Sequence, residues 1–237
     1  AKRIDPYKKL VEFEKEGSVE YLEYDFLVIS TGLRPVVPPV EGLDLEGVSL
    51  FWTVEDVERL RKRNLEKVVI IGGSATGIEV AAELATLGKD VTLVEMMEQL
   101  MPGKLDPPIA SLIGRSLAEM GVKILLKHPL KGIVGNRGEV THIMAGDKKI
   151  EADTVILCTG AKPNVELAKN SGIKIGEKGG IPVDPWMRTE YQNIYAAGDV
   201  AEVKDYITGK PVITGLASTA LVQGRITGIN VSGGDVR

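Results

Sequence analysis

The chain has 237 residues, of which 43% are hydrophobic and 26% charged, and its net charge is −4. These values are typical of a globular chain with one or two domains, and they provide no basic stripe for nucleic acid. The single cysteine, Cys158, excludes a disulfide framework, and the two histidines have no partners at metal-ligand spacing. We find no membrane span and no secretory signal. We therefore expect a cytoplasmic protein that holds no metal and binds neither membrane nor nucleic acid.

The first segment, residues 1–47, combines a strand-like pattern with a proline-rich end. Val19 and Tyr21 alternate with polar residues, and residues 26–29 form an apolar run. Residues 34–39 contain three prolines, which cannot donate to a sheet and resist helix formation. The pattern predicts strands followed by an extended linker.

The second segment, residues 48–162, alternates strand and helix patterns. We predict a helix over 54–63, a strand over 68–71, a helix over 78–87, a strand over 91–94, a helix over 107–120 and a strand over 123–126. Thr53 is placed to cap the first helix, Gly88 to end the second and Pro107 to start the third. From 128 to 158, short strands and glycine turns predict a β-meander. The alternation as a whole predicts an α/β fold with a parallel sheet.

The third segment, residues 163–237, is rich in turns. It contains a predicted strand over 194–197 and a predicted helix over about 218–229. No internal repeat is present in the chain.

A glycine-rich turn joins the predicted strand over 68–71 to the helix that follows. The pattern G-x-G-x-x-G would place glycine at 72, 74 and 77; Gly72 and Gly77 match, and Ser74 stands at the middle position. In such units the first glycine makes the turn, the second lets the backbone approach a pyrophosphate, and the third allows close packing of helix on sheet. The pyrophosphate then lies at the helix N-terminus. The Ser74 hydroxyl is a further possible donor to phosphate.

An acid at the end of the next strand indicates which dinucleotide this unit binds. Glu95 follows the strand over 91–94, about 20 residues after the turn, where a carboxylate accepts hydrogen bonds from ribose hydroxyls and repels a 2′-phosphate. We therefore predict NADH as the ligand, held by the turn and by Glu95. An ordinary strand–turn–helix connection without a ligand is the alternative. The predicted contacts are Gly72, Gly73, Ser74, Ala75, Thr76, Gly77 and Glu95.

Four motifs resemble the FAD-dependent pyridine nucleotide–disulfide oxidoreductases, and together they span nearly the whole chain. The similarity is greatest to the branch of NADH oxidase, NADH peroxidase and coenzyme A-disulfide reductase. The motifs are residues 24–32 (YDFLVISTG), the glycine unit 68–79 (VVIIGGSATGIE), residues 154–164 (TVILCTGAKPN), and a set formed by 180–184 (GIPVD), 194–199 (IYAAGD), 216–220 (LASTA) and 223–225 (QGR).

The resemblance implies a Rossmann-like NADH domain, residues 48–162, inserted into an incomplete FAD domain formed by 1–47 and 163–237. It also implies a second set of cofactor contacts. In this interpretation the Asp199 carboxylate accepts from the FAD ribityl chain, the N-terminus of the last helix faces the flavin, and Gly160 lets NADH pass close to the backbone. The implied residues are Ser30, Thr31, Gly32, Gly160, Gly198, Asp199, Leu216, Ala217 and Ser218.

Members of the resembled family also carry an earlier glycine fingerprint, a redox cysteine and a C-terminal dimerisation domain, and none of these occurs in this sequence. We therefore expect an internal part of a longer homodimeric protein that holds FAD weakly and is inactive by itself. Cys158 lies in an apolar strand, where cysteine behaves as an inert hydrophobe, so we assign no catalytic side chain.

Two further positions depart from the family. Ala75 replaces an aromatic residue that covers the flavin in many relatives, which suggests a less shielded flavin face. Trp52 replaces an expected arginine, and we expect it to be a core or interface residue.

The resulting functional prediction is an FAD-dependent NADH oxidoreductase of the NADH oxidase or disulfide reductase type. NADH gives hydride to the flavin, which passes electrons to an acceptor that the sequence does not identify. One alternative is a ferredoxin- or rubredoxin-type NAD reductase. The other is a nucleotide-binding segment without catalysis.

Overall fold

The computed structural model describes all 237 residues. Its strands are β1 (Arg3–Asp5), β2 (Leu10–Lys15), β3 (Ser18–Glu23), β4 (Leu27–Ile29), β5 (Leu33–Pro35), β6 (Val48–Leu50), β7 (Lys67–Ile71), β8 (Asp90–Val94), β9 (Lys123–Leu125), β10 (Leu130–Asn136), β11 (Glu139–Ala145), β12 (Lys148–Glu151), β13 (Thr154–Leu157), β14 (Ala161–Pro163), β15 (Ile181–Pro182), β16 (Ile194–Ala196), β17 (Ala201–Lys204) and β18 (Pro211–Val212). Its helices are α1 (Val54–Arg61), α2 (Ala75–Thr86), α3 (Pro107–Glu119), α4 (Glu166–Asn170) and α5 (Ala217–Val231).

The chain divides into two compact units. The inserted unit contains residues 35–160, and the split unit contains residues 1–34 and 161–237. We predicted the first junction at residue 47, but the proline-rich linker belongs to the inserted unit. Val36 N–H donates to the Gly160 carbonyl oxygen (2.9 Å), and Thr159 Oγ1 donates to the Val36 carbonyl oxygen (2.6 Å). These bonds close the inserted unit where its two ends meet.

A five-stranded parallel sheet of order β6-β13-β7-β8-β9 forms the centre of the inserted unit. Successive side chains point to opposite faces of a strand, so a sheet covered on both sides needs apolar residues at every position. In β7, Val68 and Ile70 pack in one core with Val80 of α2, whereas Val69 and Ile71 pack in another with Ile143 of β11. The continuous apolar run over 68–71 thus serves two separate cores.

The predicted meander exists, but its last part belongs elsewhere. Strands β10, β11 and β12 form an antiparallel sheet, as the glycine turns indicate. The strand β13, which we had included in the meander, instead enters the parallel sheet between β6 and β7. Its residues Thr154–Leu157 are all buried, which fits a central strand better than a meander edge.

The helices of the inserted unit begin and end close to the predicted residues. Pro107 starts α3, and Gly88 adopts a left-handed conformation (φ +74°) just after α2. Helix α2 begins at Ala75, three residues earlier than predicted, because Ser74 caps it.

Helix α1 begins directly after Thr53, as predicted, in a reciprocal capping box. Thr53 Oγ1 accepts from Asp56 N–H (3.3 Å), and the Asp56 carboxylate accepts from the N–H groups of Thr53 (2.9 Å) and Trp52 (3.1 Å). Asp56 is buried and also pairs with Arg59. Burial raises the pKa of Asp56, but these hydrogen bonds outweigh it and hold the pKa below its ordinary value of 3.8.

Several small sheets make up the split unit. Strands β1–β3 form an antiparallel sheet, β4 pairs in parallel with β16, and β17 pairs with both β15 and β18. Their shared core contains Ile4, Ile29, Ile181 and Ile194. No helix in the chain has the length and apolar character required to cross a membrane.

Helix α5 is longer than predicted, and it packs against the core with polar residues as well as with the apolar residues Ile226 and Val231. Its buried residues, Gln223, Thr227 and Asn230, are polar, while Leu221 and Val222 are 76% and 58% exposed. Helices in globular proteins normally bury their apolar side. The buried polar residues therefore need a specific explanation.

Removing the Asp56 carboxylate should destabilise the inserted unit. We expect Asp56→Ala to lower the free energy of unfolding by about 1–2 kcal/mol at pH 7, because two backbone N–H groups lose their acceptor. Urea denaturation measures this change, and Glu58→Ala, an exposed position on the same helix, should change it by less than about 0.5 kcal/mol.

The same carboxylate predicts a pH dependence. Because the folded-state pKa of Asp56 is lowered, its stabilisation is complete above pH 3.8 and is lost as the pH falls through the folded-state value. The difference between the wild-type chain and Asp56→Asn should therefore shrink in acid. A difference that grows in acid would contradict the assignment.

Candidate functional site

The candidate dinucleotide site lies at one edge of the parallel sheet. Strands β7, β8 and β13 all end at this edge, and the residues that follow them are Gly72, Glu95 and Cys158. Ligands of open parallel sheets bind at the carboxyl ends of the strands. The structure therefore brings the predicted glycine turn and the predicted acid to adjacent strand ends.

The turn from β7 into α2 leaves no room for side chains at two positions. Gly72 has φ +110°, and a Cβ atom there would overlap the carbonyl oxygen of Cys158. A Cβ atom on Gly77 would overlap the Gly72 carbonyl oxygen and would lie 3.3 Å from the Cys158 Cβ. Both glycines are therefore required by close approach of backbone to backbone, as the fingerprint predicts.

Ser74 occupies the middle position without strain. Its φ of −72° is open to any residue, and its hydroxyl accepts from Gly77 N–H (3.3 Å) as the N-cap of α2. The hydroxyl also donates to the Cys158 carbonyl oxygen (3.0 Å). We had suggested that this hydroxyl donates to phosphate, but its one hydrogen is already used. An anion could still bind the backbone N–H groups at the start of α2, where Ala75 and Thr76 are exposed.

Glu95 is buried and ties two parts of the site together. One carboxylate oxygen accepts from Gly73 N–H (2.6 Å), and the other accepts from Met97 N–H (2.7 Å). Each carboxylate oxygen has a second lone pair, so ribose hydroxyls can still donate to it. The sequence predicts the acid but not its hydrogen bond to the glycine turn.

Three further predicted positions lie near this edge. Gly160 adopts φ +88°, and no atom lies within 4 Å of its would-be Cβ. Ala75 is exposed, and its effect on the shielding of a flavin stays a prediction. Trp52 is 47% exposed, so a core position is wrong for it, and an interface role stays a prediction.

Cys158 has the environment of an inert thiol. It is 6% exposed, and burial raises its pKa to about 11. A thiol of this kind carries almost no thiolate at neutral pH.

A second candidate site lies in the split unit, at the carboxyl ends of the parallel strands β4 and β16. Residues 30–32 follow β4, and residues 197–199 follow β16. Ala197 N–H donates to the Ile29 carbonyl oxygen (3.1 Å), which keeps the two loops side by side. The structure thus brings together two motifs that are more than 160 residues apart in the sequence.

Asn164 fixes the first of these loops. Thr31 Oγ1 donates to the Asn164 carbonyl oxygen (2.6 Å), and Asn164 N–H donates to the Gly32 carbonyl oxygen (2.8 Å). The Thr31 hydroxyl is therefore engaged within the protein, while Ser30 is exposed. We did not predict a role for Asn164, although it ends one of the quoted motifs.

Gln223 fixes the second loop. Its amide oxygen accepts from Gly198 N–H (2.8 Å), and Gly198 adopts φ +79°. The neighbouring Asp199 is partly exposed, and its carboxylate takes part in none of the hydrogen bonds or ion pairs of the structure. This carboxylate is therefore available to a ligand.

The start of α5 offers further hydrogen-bond donors. Leu216 is its N-cap and supplies no side-chain cap, so the first N–H groups of the helix lack a side-chain acceptor. Leu216, Ala217 and Ser218 are all exposed. An electron-rich ligand edge could accept hydrogen bonds from this helix end.

Residues 1–224 match the family model described as pyridine nucleotide-disulphide oxidoreductase. The chain belongs to this family. It is 40% identical over 224 residues to a Methanocaldococcus jannaschii protein named NADH oxidase, covering 93% of this chain and 50% of that protein. It is 37% identical to the CoA-dependent NAD(P)H sulfur oxidoreductase of Pyrococcus abyssi, covering 94% and 50%.

Solved structures of the family have the same fold. The structure described as an NAD-dependent persulfide reductase from A. fulgidus has a TM-score of 0.94 and is 39% identical, with 99% of this chain and 44% of that chain covered. The predicted α/β class and the predicted family are confirmed. The chain spans about half the length of the curated relatives it matches.

The close backbone packing at the glycine turn gives a matched pair of variants. Gly77→Ala should lower the free energy of unfolding by about 1–3 kcal/mol and weaken NADH binding, because the methyl group pushes α2 away from Gly72. Gly114→Ala, inside α3, meets only ordinary contacts at 3.9 Å and should be neutral or stabilising by up to about 1 kcal/mol.

Thermal denaturation and calorimetric titration with NADH measure the two effects. If Gly77→Ala and Gly114→Ala have the same melting temperature and the same affinity for NADH, the close approach at Gly77 contributes neither to stability nor to binding.

Proposed function

We propose that the protein of which this chain forms a part is an FAD-dependent NADH oxidoreductase of the NADH oxidase or disulfide reductase type. The observation that carries the proposal is the sheet edge formed by the Gly72–Gly77 turn and Glu95. The loops and helix end around Asp199 support a second cofactor. When bound, the two cofactors supply hydride transfer and onward electron transfer.

In the inserted unit, NADH would be held by backbone and carboxylate. The N–H groups at the start of α2 favour the pyrophosphate, since the helix dipole and free donors point to the same place. The cradle at Gly72 and Gly77, which a Cβ atom would fill, lets the backbone come close. Glu95 would accept from the adenosine ribose hydroxyls and disfavour NADPH. Gly73, Ser74, Ala75, Thr76 and Gly160 complete the proposed contacts.

In the split unit, the residues fit a flavin with a polyol chain. Asp199 has an unpartnered carboxylate that can accept from ribityl hydroxyls, and Gly198 beside it is held in place by Gln223. The open N-terminus of α5, at Leu216, Ala217 and Ser218, would stabilise negative charge on the reduced ring. Ser30, Thr31 and Gly32 would line the other side. No side chain of this chain is assigned a proton or electron transfer.

The acceptor, assembly and location belong to the proposal for the whole protein. The acceptor is a small molecule or a carrier protein, and we propose a homodimer formed through a C-terminal domain. A cytoplasmic location is consistent with one unpaired cysteine and with the use of NADH.

The sequence leaves two other functions open. A ferredoxin- or rubredoxin-type reductase is less favoured, because the relatives described above are an NADH oxidase and sulfur or persulfide reductases. A nucleotide-binding module without catalysis would bind NADH and no FAD. Binding of FAD by the full-length protein distinguishes the module from the enzyme.

Cofactor preference tests the proposed role of Glu95. We expect the wild-type chain to bind NADH at least about tenfold more tightly than NADPH, and the double variant Glu95→Ala/Met96→Arg to reverse the order, because a repelling charge is replaced by an attracting one. Isothermal titration calorimetry measures both ligands.

The control is Glu98→Ala, which removes an exposed acid three residues away that pairs only loosely with Lys127 (3.6 Å). It should leave the preference unchanged. Because Glu95 also binds two N–H groups, the melting temperature of each variant is compared first. An unchanged preference in a folded double variant would refute the assignment.

A further inference from the structure

Helix α5 has a stripe of polar residues on its buried side. Gln223, Thr227 and Asn230 are 6%, 2% and 8% exposed and lie on one side of the helix. Buried polar groups destabilise a protein unless each has a partner. Each of the three must therefore serve a hydrogen bond that stabilises more than its burial costs.

Two of the three side chains make hydrogen bonds away from the proposed flavin site. Thr227 Oγ1 donates to the Gln223 carbonyl oxygen within the helix (2.8 Å). The Asn230 side chain donates to the carbonyl oxygens of Trp186 (3.0 Å) and Val236 (2.8 Å) and accepts from Val236 N–H (2.9 Å). These bonds hold the end of α5 and the segment after it.

Gln223 differs from them because its bond reaches the proposed flavin site. Its amide oxygen accepts from Gly198 N–H, which belongs to the peptide that joins Ala197 to Gly198. The preceding peptide is held by the hydrogen bond from Ala197 N–H to the Ile29 carbonyl oxygen. Gly198 itself adopts a left-handed conformation that glycine enters and leaves at little cost. The Gln223 bond fixes the peptide on the N-terminal side of Gly198, and the Gly198 carbonyl oxygen, which accepts from Ala201 N–H (2.9 Å), fixes the peptide on the C-terminal side.

We propose that Gln223 is a positioning residue for the flavin: it fixes the peptide between Ala197 and Gly198, at the start of the Asp199 loop, so that the Asp199 carboxylate is ready to accept from the ribityl hydroxyls. The inference rests on the proposed function of the split unit. Gln223 lies two turns into the helix whose N-terminus faces the flavin in that proposal. One buried side chain would thus set the distance between the helix end and the Asp199 loop.

Preorganisation accounts for the expected effect. A binding loop that is already fixed loses little conformational freedom when the ligand arrives. Without the Gln223 amide oxygen, Gly198 N–H lacks its acceptor, and the loop that carries Asp199 loses one of the hydrogen bonds that hold it. We expect the dissociation constant for FAD to rise about tenfold in Gln223→Met, which keeps the length of the side chain and removes the acceptor.

The experiment uses the full-length protein, stripped of cofactor and titrated with FAD while flavin fluorescence is recorded. Gln223→Glu keeps an acceptor oxygen and should stay within about threefold of wild type. Thr227→Val, the matched control on the same buried stripe, should lower the melting temperature but leave FAD affinity within about twofold. Equal FAD affinities for Gln223→Met and Thr227→Val would overturn the proposal.

A double-mutant cycle separates positioning from a structural role. If Gln223 acts through Asp199, Gln223→Met should weaken FAD binding much less in an Asp199→Asn background than in the wild type. If the two substitutions raise the dissociation constant for FAD by factors that simply multiply in the double variant, the inference is contradicted. If Gln223→Met does not fold, Gln223→Asn, which withdraws the amide by one methylene, takes its place in the cycle.

The outcomes also distinguish this inference from the proposed function. NADH affinity of the Gln223 variants should equal that of wild type. If wild-type full-length protein binds no FAD, the proposed function itself is wrong. If it binds FAD and the Gln223 variants bind equally well, only the positioning role is wrong.

Discussion

Burial of a parallel sheet on both faces is the constraint on which the inserted unit depends. Alternate residues of β7 pack in different cores, so every position from Val68 to Ile71 is apolar. Polar groups can therefore occur only beyond the ends of this run. All five strands run the same way, so the ends of β7, β8 and β13 coincide. The glycine turn and Glu95 lie side by side there because each directly follows one of these strands. The parallel pair β4 and β16 brings the loops of the split unit together for the same reason.

At these edges, a glycine-containing loop is tied down by a residue from elsewhere in the sequence. Glu95 binds Gly73 N–H, Gln223 binds Gly198 N–H, and Asn164 binds the Gly32 carbonyl oxygen through its own N–H. Glycine permits the backbone geometry that a cofactor site needs but does not enforce it. These hydrogen bonds hold the loops, and for Glu95 and Gln223 they explain why a polar side chain is buried.

Local patterns sufficed to predict much of the inserted unit. Thr53, Gly88 and Pro107 mark helix ends whose signals lie within a few residues, and the glycine turn with its acid follows from short spacings. The position of β13 between β6 and β7 was not predictable, because pairing of distant strands leaves no local signal. The tying roles of Asn164 and Gln223 escaped for the same reason. The orientation of α5 also escaped, since its buried side is polar and helical periodicity rests on apolar residues.

The most direct test of the central claim uses the isotope-labelled chain and its backbone amide NMR spectrum during titration with NADH. We expect the largest shifts at residues 72–77 and 95–97, since these N–H groups would surround the proposed pyrophosphate and ribose. Shifts confined to residues outside the carboxyl edge of the parallel sheet, or no saturable shift at all, would contradict it.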